Sequence, residues 1–477
     1  MATAFDLSVV RGDKPLHLQI ADQIQEKILS GGLGVGSRLP TVRKLADSVG
    51  VSRVTALQAY EALQVRGLIA SRVGSGTFVA APNTAEMGRG RLRQFQPCSV
   101  TTDFSTSARS SGITNFAIGD ADDRNFQTDE FAAGMLRSRN GEEFSVGPYG
   151  NGALLSAFAN YYQSFGIQAS PERLVVTGGG IATNAALAMT LDGKGAKVVV
   201  QDPAFPHASD YLESFNLQTV GVPTVNGDLD TQRFQDEAKK GGVKAAFLFL
   251  TVNQCTGETA SVRNKRQVLE IAERHGVAIF EDVSAFWAYD GVRLPNLREL
   301  SDGASINVVA FDCMTKTLGR AVPVSCVFAE GRLRERVAVR SLGLGSSPPS
   351  LMQRAMRAYV EGRSLAAHVS RAAPRHLARR SATLQALREK MPAGCTWSDP
   401  KVGHSLWLRF PDHVDVARLY EDALSASVAV APGGSAMVPR RSTSAVRLSY
   451  GGSSVDEIAA AVARLAKVVE AQIGCVT

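Results

Sequence analysis

Apolar residues recur with helical spacing along the first part of the chain. Leu18, Ile20, Ile24 and Ile28 follow Pro15 at steps that place them on one side of a helix, which Ser30-Gly31-Gly32 ends. After the loop GLGVGSRLP, the segment TVRKLADSVG sets Val42, Leu45, Ala46 and Val49 on one face and closes at Gly50. Ser52 then stands where it caps a third helix, SRVTALQAYEALQVRG, expected to turn Val54, Leu57, Ala59, Tyr60 and Leu63 inward. Two short helices joined across Gly50-Val51 have the spacing of a helix-turn-helix, whose second helix meets the major groove. LIASRVGSGTFVA alternates and turns on Gly74-Ser75-Gly76, which predicts a two-stranded wing.

From Pro82 to about Gly112 the periodicity is lost in a stretch rich in Ser, Thr, Gly and Arg, which predicts a linker. Beyond it the apolar runs RLVVTGG, AKVVVQDP, AAFLFLTV, VAIFEDV and SINVVAFD alternate with helix-forming segments. Such alternation predicts a mostly parallel sheet covered by helices, with ligands bound at the carboxyl ends of the strands. The expected organisation is a winged helix-turn-helix at 1–81, mainly α with a β-wing, a linker at 82–112 and an α/β domain at 113–477. The α/β domain divides into a large part, about 113–330, and a smaller C-terminal α/β part, about 331–477.

Composition narrows the class. The 477 residues are 44% apolar and 20% charged, which disfavours disordered, collagen-like and coiled-coil architectures. The length suits about three domains at roughly 100–200 residues each. Lys and Arg number 52 against 45 Asp and Glu, a formal charge of +7 that permits a nucleic-acid partner without demanding one. Its location is more telling: between Arg38 and Arg72 stand Arg38, Arg43, Lys44, Arg53, Arg66 and Arg72 against only Asp47 and Glu61. The six cysteines form no C-x-x-C pair, so neither a metal site nor a disulfide framework is expected, and a reducing cytoplasmic setting fits. The first twenty residues carry Asp6 and lack a signal-like apolar run, and no stretch is long enough to span a bilayer, so no membrane association is expected.

The strand ends of the α/β region hold the chemistry. Thr177-Gly178-Gly179-Gly180, followed by IATNAALAMTL, would bring backbone N–H groups and a helix N-terminus to an anion such as phosphate. Asp202-Pro203 ends the next strand, and Phe205 could lie on a planar ring. Asn253, Gln254 and Thr256-Gly257 could bond to a ring substituent. Glu281 and Asp282 close a buried strand, where a charged carboxylate is costly unless paired, and a cationic ring nitrogen is one such partner. VVAFDCMTKTLG ends in Lys316, an amine placed to form a Schiff base.

Through PLHLQIADQI, GSRLPTVRKLADSVGVSRVTALQAY and GSGTFV, the segment Pro15 to Ala80 resembles the GntR family of winged-helix regulators. The resemblance implies that Arg43, Ser52, Arg53, Thr55 and Gln58 contact double-stranded DNA, and that Arg72 with the wing glycines Gly74 and Gly76 reaches a minor groove or phosphates. From about Thr114 onward, the order of strand-end residues resembles fold-type I pyridoxal 5′-phosphate enzymes of the aminotransferase class, and the two parts together look like the MocR subfamily of regulators. That likeness implies roles residue by residue. Lys316 matches the Schiff-base lysine, Asp282 the carboxylate on the pyridine nitrogen, Gly179 and Gly180 the phosphate loop, and Phe205 the stacking aromatic. Gln254 takes the asparagine position of an N-P-T-G motif, and Ser284 the place of a tyrosine that bonds the phenolic oxygen. Tyr149, before Gly150, matches a tyrosine that reaches the neighbouring subunit's phosphate in a homodimer, and Arg447 in AVRLSYGG matches the arginine that clamps an amino-acid carboxylate.

The departures from the family pattern are equally informative. Cys313 stands where a Ser or Thr is usual, and Pro323 where an Arg is usual, so two phosphate anchors are replaced; Arg320, four residues after Lys316, has the spacing to substitute. The implied function is a DNA-binding regulator whose aminotransferase-like domain binds pyridoxal 5′-phosphate or a small amino-compound effector. The alternatives are a working aminotransferase or amino-acid lyase with a fused winged helix, and a degenerate site that no longer holds the cofactor and serves as a scaffold or as a sensor of some other ligand. The arginine-rich stretches GRLRERVAVRSLGLG and SRAAPRHLARRSATLQALREK read as solvated helix faces, with a second DNA surface at Arg375 and Arg379 as the alternative.

Overall fold

The computed structural model describes residues 7–474 apart from 11–14, 30–32, 35, 66–67, 73–75, 80–111, 120, 122–125, 137–145, 192–194, 207, 287–292 and 302–307. Gly74 and the expected linker, apart from Gly112, lie outside the described residues. The chain forms two compact units, Met1–Val100 and Thr101–Thr477.

The first unit packs α1 (Leu16–Leu29), α2 (Val42–Val49) and α3 (Arg53–Val65) against a hairpin of β1 (Ile69–Arg72) and β2 (Gly76–Val79). Local chemistry fixes the helix-turn-helix. Thr41 caps α2 by accepting from the Lys44 N–H, and Gly50, at φ 71°, supplies the left-handed turn that closes it, its N–H donating to the Ala46 carbonyl. Ser52 Oγ accepts from the Thr55 N–H at 3.1 Å and so starts α3. Ile20, Ile24, Leu45, Ala46, Ala56, Ala59, Tyr60 and Leu63 form the core, with the Tyr60 hydroxyl donating to the Pro40 carbonyl at 2.7 Å. Two expected core positions are corrected: Val54 and Leu57 are 63% and 46% exposed. The buried line of α3 runs through Ala56, Ala59, Tyr60 and Leu63, and a 3.6-residue period on that line carries positions 54 and 57 to the outer face.

The second unit is built on an eight-stranded sheet of β3 (Leu174–Thr177), β4 (Lys197–Asp202), β5 (Gln218–Val225), β6 (Asp228–Leu229), β7 (Val243–Leu248), β8 (Ala278–Asp282), β9 (Val308–Cys313) and β10 (Ser325–Phe328). Its order is β3-β10-β9-β8-β7-β4-β5-β6, with β10 and β6 antiparallel to their neighbours and the rest parallel. A sheet covered on both faces calls for strands that are apolar nearly throughout, and β9 is buried along its whole length. The strand ends that matter carry α4 (Gly180–Ala188) after β3 and the turn α5 (Thr315–Leu318) after β9. Helix α6 (Ser364–Lys390) leads into the smaller part, where β11 (Ser405–Arg409) and β12 (Ala445–Ser449) pair antiparallel in a four-stranded sheet. Leu406, Leu408, Val446 and Leu448 of that sheet share a core with Ile458 and Leu465 of α7 (Val455–Gly474). Among the described residues no helix is long and apolar enough to cross a membrane, and no group of three or more His, Cys, Asp or Glu side chains could hold a metal.

Candidate cofactor site and DNA-facing helix

Consecutive residues of a strand point to opposite faces, and this separates the two carboxylates that end β8. Glu281, fully buried, accepts from the Thr251 N–H at 3.1 Å, the Thr251 hydroxyl at 2.7 Å and the Leu297 N–H at 2.8 Å. Buried Lys265 donates to Thr251 Oγ1 at 3.3 Å and to the Pro295 carbonyl at 2.8 Å. Burial pushes Glu281 up and Lys265 down, and the charge of each opposes the shift of the other. Glu281 is therefore a scaffold carboxylate. Asp282 accepts instead from the Ser284 N–H at 2.9 Å and from the Ser284 hydroxyl, whose oxygen accepts the Cys313 N–H at 2.8 Å. Burial raises the Asp282 pKa, opposed by the Ser284 hydrogen bonds and by the charge of Lys316.

Lys316 lies on α5 and its ammonium donates to the Gly119 carbonyl at 2.6 Å. His404 Nε2 is 2.9 Å from the same oxygen. Arg447, on β12, donates to the Ala117 carbonyl, and a Cβ built on Gly119 would stand 3.0 Å from its Nη1. The expected lysine and arginine thus meet at Gly119, with His404 beside them. The sequence reading missed both Gly119 and His404: a single glycine in FAIGD and a single histidine in a strand carry no motif. Burial raises the Cys255 thiol to about 11, and the charges of Arg447 and Lys316 pull the other way.

The buried donors without a hydrogen-bond partner among the described residues include Arg447 Nε and Asn253 Nδ2. Asn253 Oδ1 accepts from the Cys255 and Thr256 N–H groups at 2.8 and 3.0 Å, while Gln254 Nε2 reaches the Ser284 carbonyl at 3.3 Å. Sequence reasoning favoured Gln254, whereas the orphaned amide belongs to its neighbour. Phe205 is partly buried, with its ring edge-on to Phe249 at 5.7 Å.

The glycine turn after β3 ends in α4. Gly179 has φ 91°, and a Cβ on Gly178 would collide with the Ser346 carbonyl, so the turn tolerates little else. The Gly180 N–H at the start of α4 donates to Cys313 Sγ at 3.0 Å, and that sulfur is 3.0 Å from Thr315 Oγ1, a hydroxyl the sequence reading overlooked. Pro323 lies 3.6 Å from where a Gly179 Cβ would stand. Arg320 is exposed, and the Arg334 guanidinium lies 3.7 Å over the centre of the Tyr149 ring.

These residues fit pyridoxal 5′-phosphate. The buried carboxylate of Asp282 lacks the buried lysine that accompanies Glu281, Arg447 meets Lys316 at Gly119 with its Nε unpartnered among the described residues, and the glycine turn with its helix N-terminus reaches Cys313 at the end of the strand that leads to Lys316. The fit is closer at the ring end than at the phosphate end, where Gly180 already engages a thiol.

In the first unit Arg43, Ser52, Arg53 and Gln58 are exposed, while Thr55 is half-buried with its hydroxyl 2.8 Å from Ser52 Oγ. Arg72 is opposite Gly76 in the wing, and its side chain lies outside the described residues. Arg38, counted in the sequence only as charge, brackets the wing: a Cβ on Gly76 would be 3.0 Å from its Nε. The alternative of a second DNA surface is corrected at Arg379, which is buried with its guanidinium donating to the Gly451 carbonyl.

Comparison with known proteins agrees with this two-part reading. A family of bacterial regulatory proteins, gntR, matches residues 16–79, and aminotransferase class I and II matches residues 111–465. The chain is 28% identical over 431 residues to the uncharacterized HTH-type transcriptional regulator YdcR of Escherichia coli, covering 87% of this chain and 91% of that protein. It is 25% identical over 433 residues to the probable rhizopine catabolism regulatory protein MocR of Rhizobium meliloti, covering 88% and 87%. Among solved structures, a multiple substrate aminotransferase from Thermococcus profundus superposes with a TM-score of 0.73 at 20% identity over 80% of this chain and 97% of that one, a likeness of fold.

Proposed function

We propose that this chain, which belongs to the aminotransferase class I and II family and carries a gntR-type module ahead of that domain, is a transcription regulator that binds double-stranded DNA and takes pyridoxal 5′-phosphate at Lys316. In this reading it works as a cytoplasmic homodimer, and an amino-compound effector arriving at the cofactor site shifts the DNA-binding state of the winged helices. The observation that carries it is the presence in one chain of a helix-turn-helix with its two paired wing strands and of a site where Lys316 and Arg447 meet at Gly119.

When bound, pyridoxal 5′-phosphate supplies an electrophilic carbonyl carbon and an electron-withdrawing ring. Lys316 provides the amine for that carbon, and Asp282, held by Ser284, keeps the proton on the pyridine nitrogen. Asn253 and Gln254 offer donors to the ring substituents, and Phe205 offers an apolar ring face. Gly179, Gly180 and Thr315 hold the phosphate, with Arg320 in reach of that end by spacing and Tyr149 serving the partner subunit. Arg447 binds the carboxylate of the amino compound, and its orphaned Nε is a donor for it. Footprinting of the full chain on its own upstream DNA, with and without pyridoxal 5′-phosphate and a panel of amino acids, tests this reading. Protection of a discrete site that changes with these ligands supports it, and absence of specific protection in every condition rejects it.

A second reading, a working aminotransferase or amino-acid lyase with a fused reader, draws on the same convergence of Lys316, Asp282 and Arg447. Half-reaction spectroscopy with amino acids separates the two, because only an enzyme converts bound cofactor to its aminated form at a useful rate.

A further inference from the structure

We infer that Val54 and Leu57 read the C5-methyl groups of thymines in the major groove, which makes α3 a reader of A·T pairs at two positions of its half-site. The inference rests on the DNA-binding reading above. Helix α3 buries Ala56, Ala59, Tyr60 and Leu63 and turns Arg53, Val54, Leu57 and Gln58 outward. Apolar side chains scattered singly on a surface need no explanation. Here a valine and a leucine lie three residues apart, so they are neighbours on one helix face, flanked by a guanidinium and an amide.

The polar groups that a sequence reading would assign to bases are partly diverted. Ser52 Oγ accepts the Thr55 N–H at 3.1 Å and lies 2.8 Å from Thr55 Oγ1, so both hydroxyls serve the helix start. The outward face therefore presents Arg53, Val54, Leu57 and Gln58. In the second helix of a helix-turn-helix that face meets base edges. The one apolar group that B-DNA shows on a major-groove base edge is the thymine methyl. Arg53 and Gln58 suit guanine and adenine by bidentate bonding, and Val54 and Leu57 suit thymine by contact.

The test selects duplexes from a random pool with the full-length protein and then replaces each thymine of the selected half-site with deoxyuridine, which removes only the methyl. Burying one methyl is worth about 0.8 kcal/mol, or about fourfold in affinity. We expect about fourfold weaker binding at one or two positions with the wild type. Val54→Ala and Leu57→Ala should each become insensitive to deoxyuridine at one of those positions. Uniform indifference of the wild type to deoxyuridine overturns the inference, as does an undiminished fourfold loss in both variants. Failure to select any duplex rejects the DNA-binding reading itself, which keeps the two failures apart. Both side chains are exposed, so the variants keep the core of the winged helix.

Discussion

The two ends of the Lys316 site are built differently. At the ring end, Asp282 is held by Ser284, Ser284 by the Cys313 N–H, and Lys316 by the Gly119 carbonyl that His404 also touches. At the phosphate end, the Gly180 N–H donates to a thiol, and Pro323 stands beside Gly179. Sulfur is a weak acceptor and proline brings no side-chain donor, so the second end offers an anion less than a hydroxyl and a guanidinium would. On the proposed reading, the difference means that the groups for a ring and an amine are kept while those for a phosphate are reduced.

The largest expected effect tests whether the ring end is separate from the scaffold beneath it. Glu281→Ala leaves Lys265 buried without its carboxylate, and breaking a buried pair costs about 3–5 kcal/mol, to be read by urea unfolding. Asp282→Asn should cost far less stability and instead weaken pyridoxal 5′-phosphate binding by roughly tenfold or more, a shift of about 1.4 kcal/mol per factor of ten. If the two variants destabilise alike, the division between neighbouring carboxylates of β8 is wrong.

A smaller effect comes from a carboxylate on the opposite face of β9 from Cys313. Asp312, which precedes Cys313 on β9, is buried and accepts from the Tyr162 hydroxyl at 3.0 Å. Burial, with help from the charge of Asp282, raises its pKa to about 7. The folded chain therefore keeps a proton that the unfolded chain releases near pH 4, and stability falls as pH rises between those values and stays lower above them. Asp312→Asn keeps an acceptor for Tyr162 and removes the titration. Its stability relative to wild type should rise by about 2–3 kcal/mol between pH 5 and pH 8, at about 1.4 kcal/mol per unit. A constant difference across that range would show that Asp312 is not protonated in the fold.

Much of this was legible in the sequence because strands buried on both faces are written as continuous apolar runs, and the residues that end them stand out against those runs. Lys316, Asp282 and the glycine turn were singled out that way and Arg447 by the family resemblance, and the structure brings Lys316 and Arg447 together at Gly119. Gly119 and His404 were not legible, because each depends on tertiary contact between segments distant along the chain. The errors on α3 have a different origin. Val54 and Leu57 are apolar and fit a helical period, but a short helix admits two phases, and only packing against Ile20, Ile24 and Leu45 selects the one through Ala56. Arg379 misled in the opposite sense, since a guanidinium in an arginine-rich run reads as solvated while its carbonyl partner lies far along the chain.

The smallest effect tests the phosphate end directly. In Cys313→Ser the shorter hydroxyl draws back from the Gly180 N–H, which now reaches the sulfur at 3.0 Å, and so leaves that donor to a phosphate oxygen. The serine hydroxyl is also a better donor than a thiol, and a net hydrogen bond is worth about 1 kcal/mol, or roughly fivefold in affinity. Equilibrium dialysis of pyridoxal 5′-phosphate should therefore show about fivefold tighter retention by Cys313→Ser, with Lys316→Ala as the variant that loses the long-wavelength absorbance of the lysine adduct. Unchanged retention would mean that the thiol does not limit the anchor, and Pro323, which faces Gly179, would then carry the difference between the two ends. Because Cys313 also donates its N–H to Ser284, and Ser284 holds Asp282, the substitution keeps the backbone bond that orients the ring end. A gain in retention without a change in the pH dependence of the absorbance would locate the effect at the phosphate and leave Asp282 undisturbed.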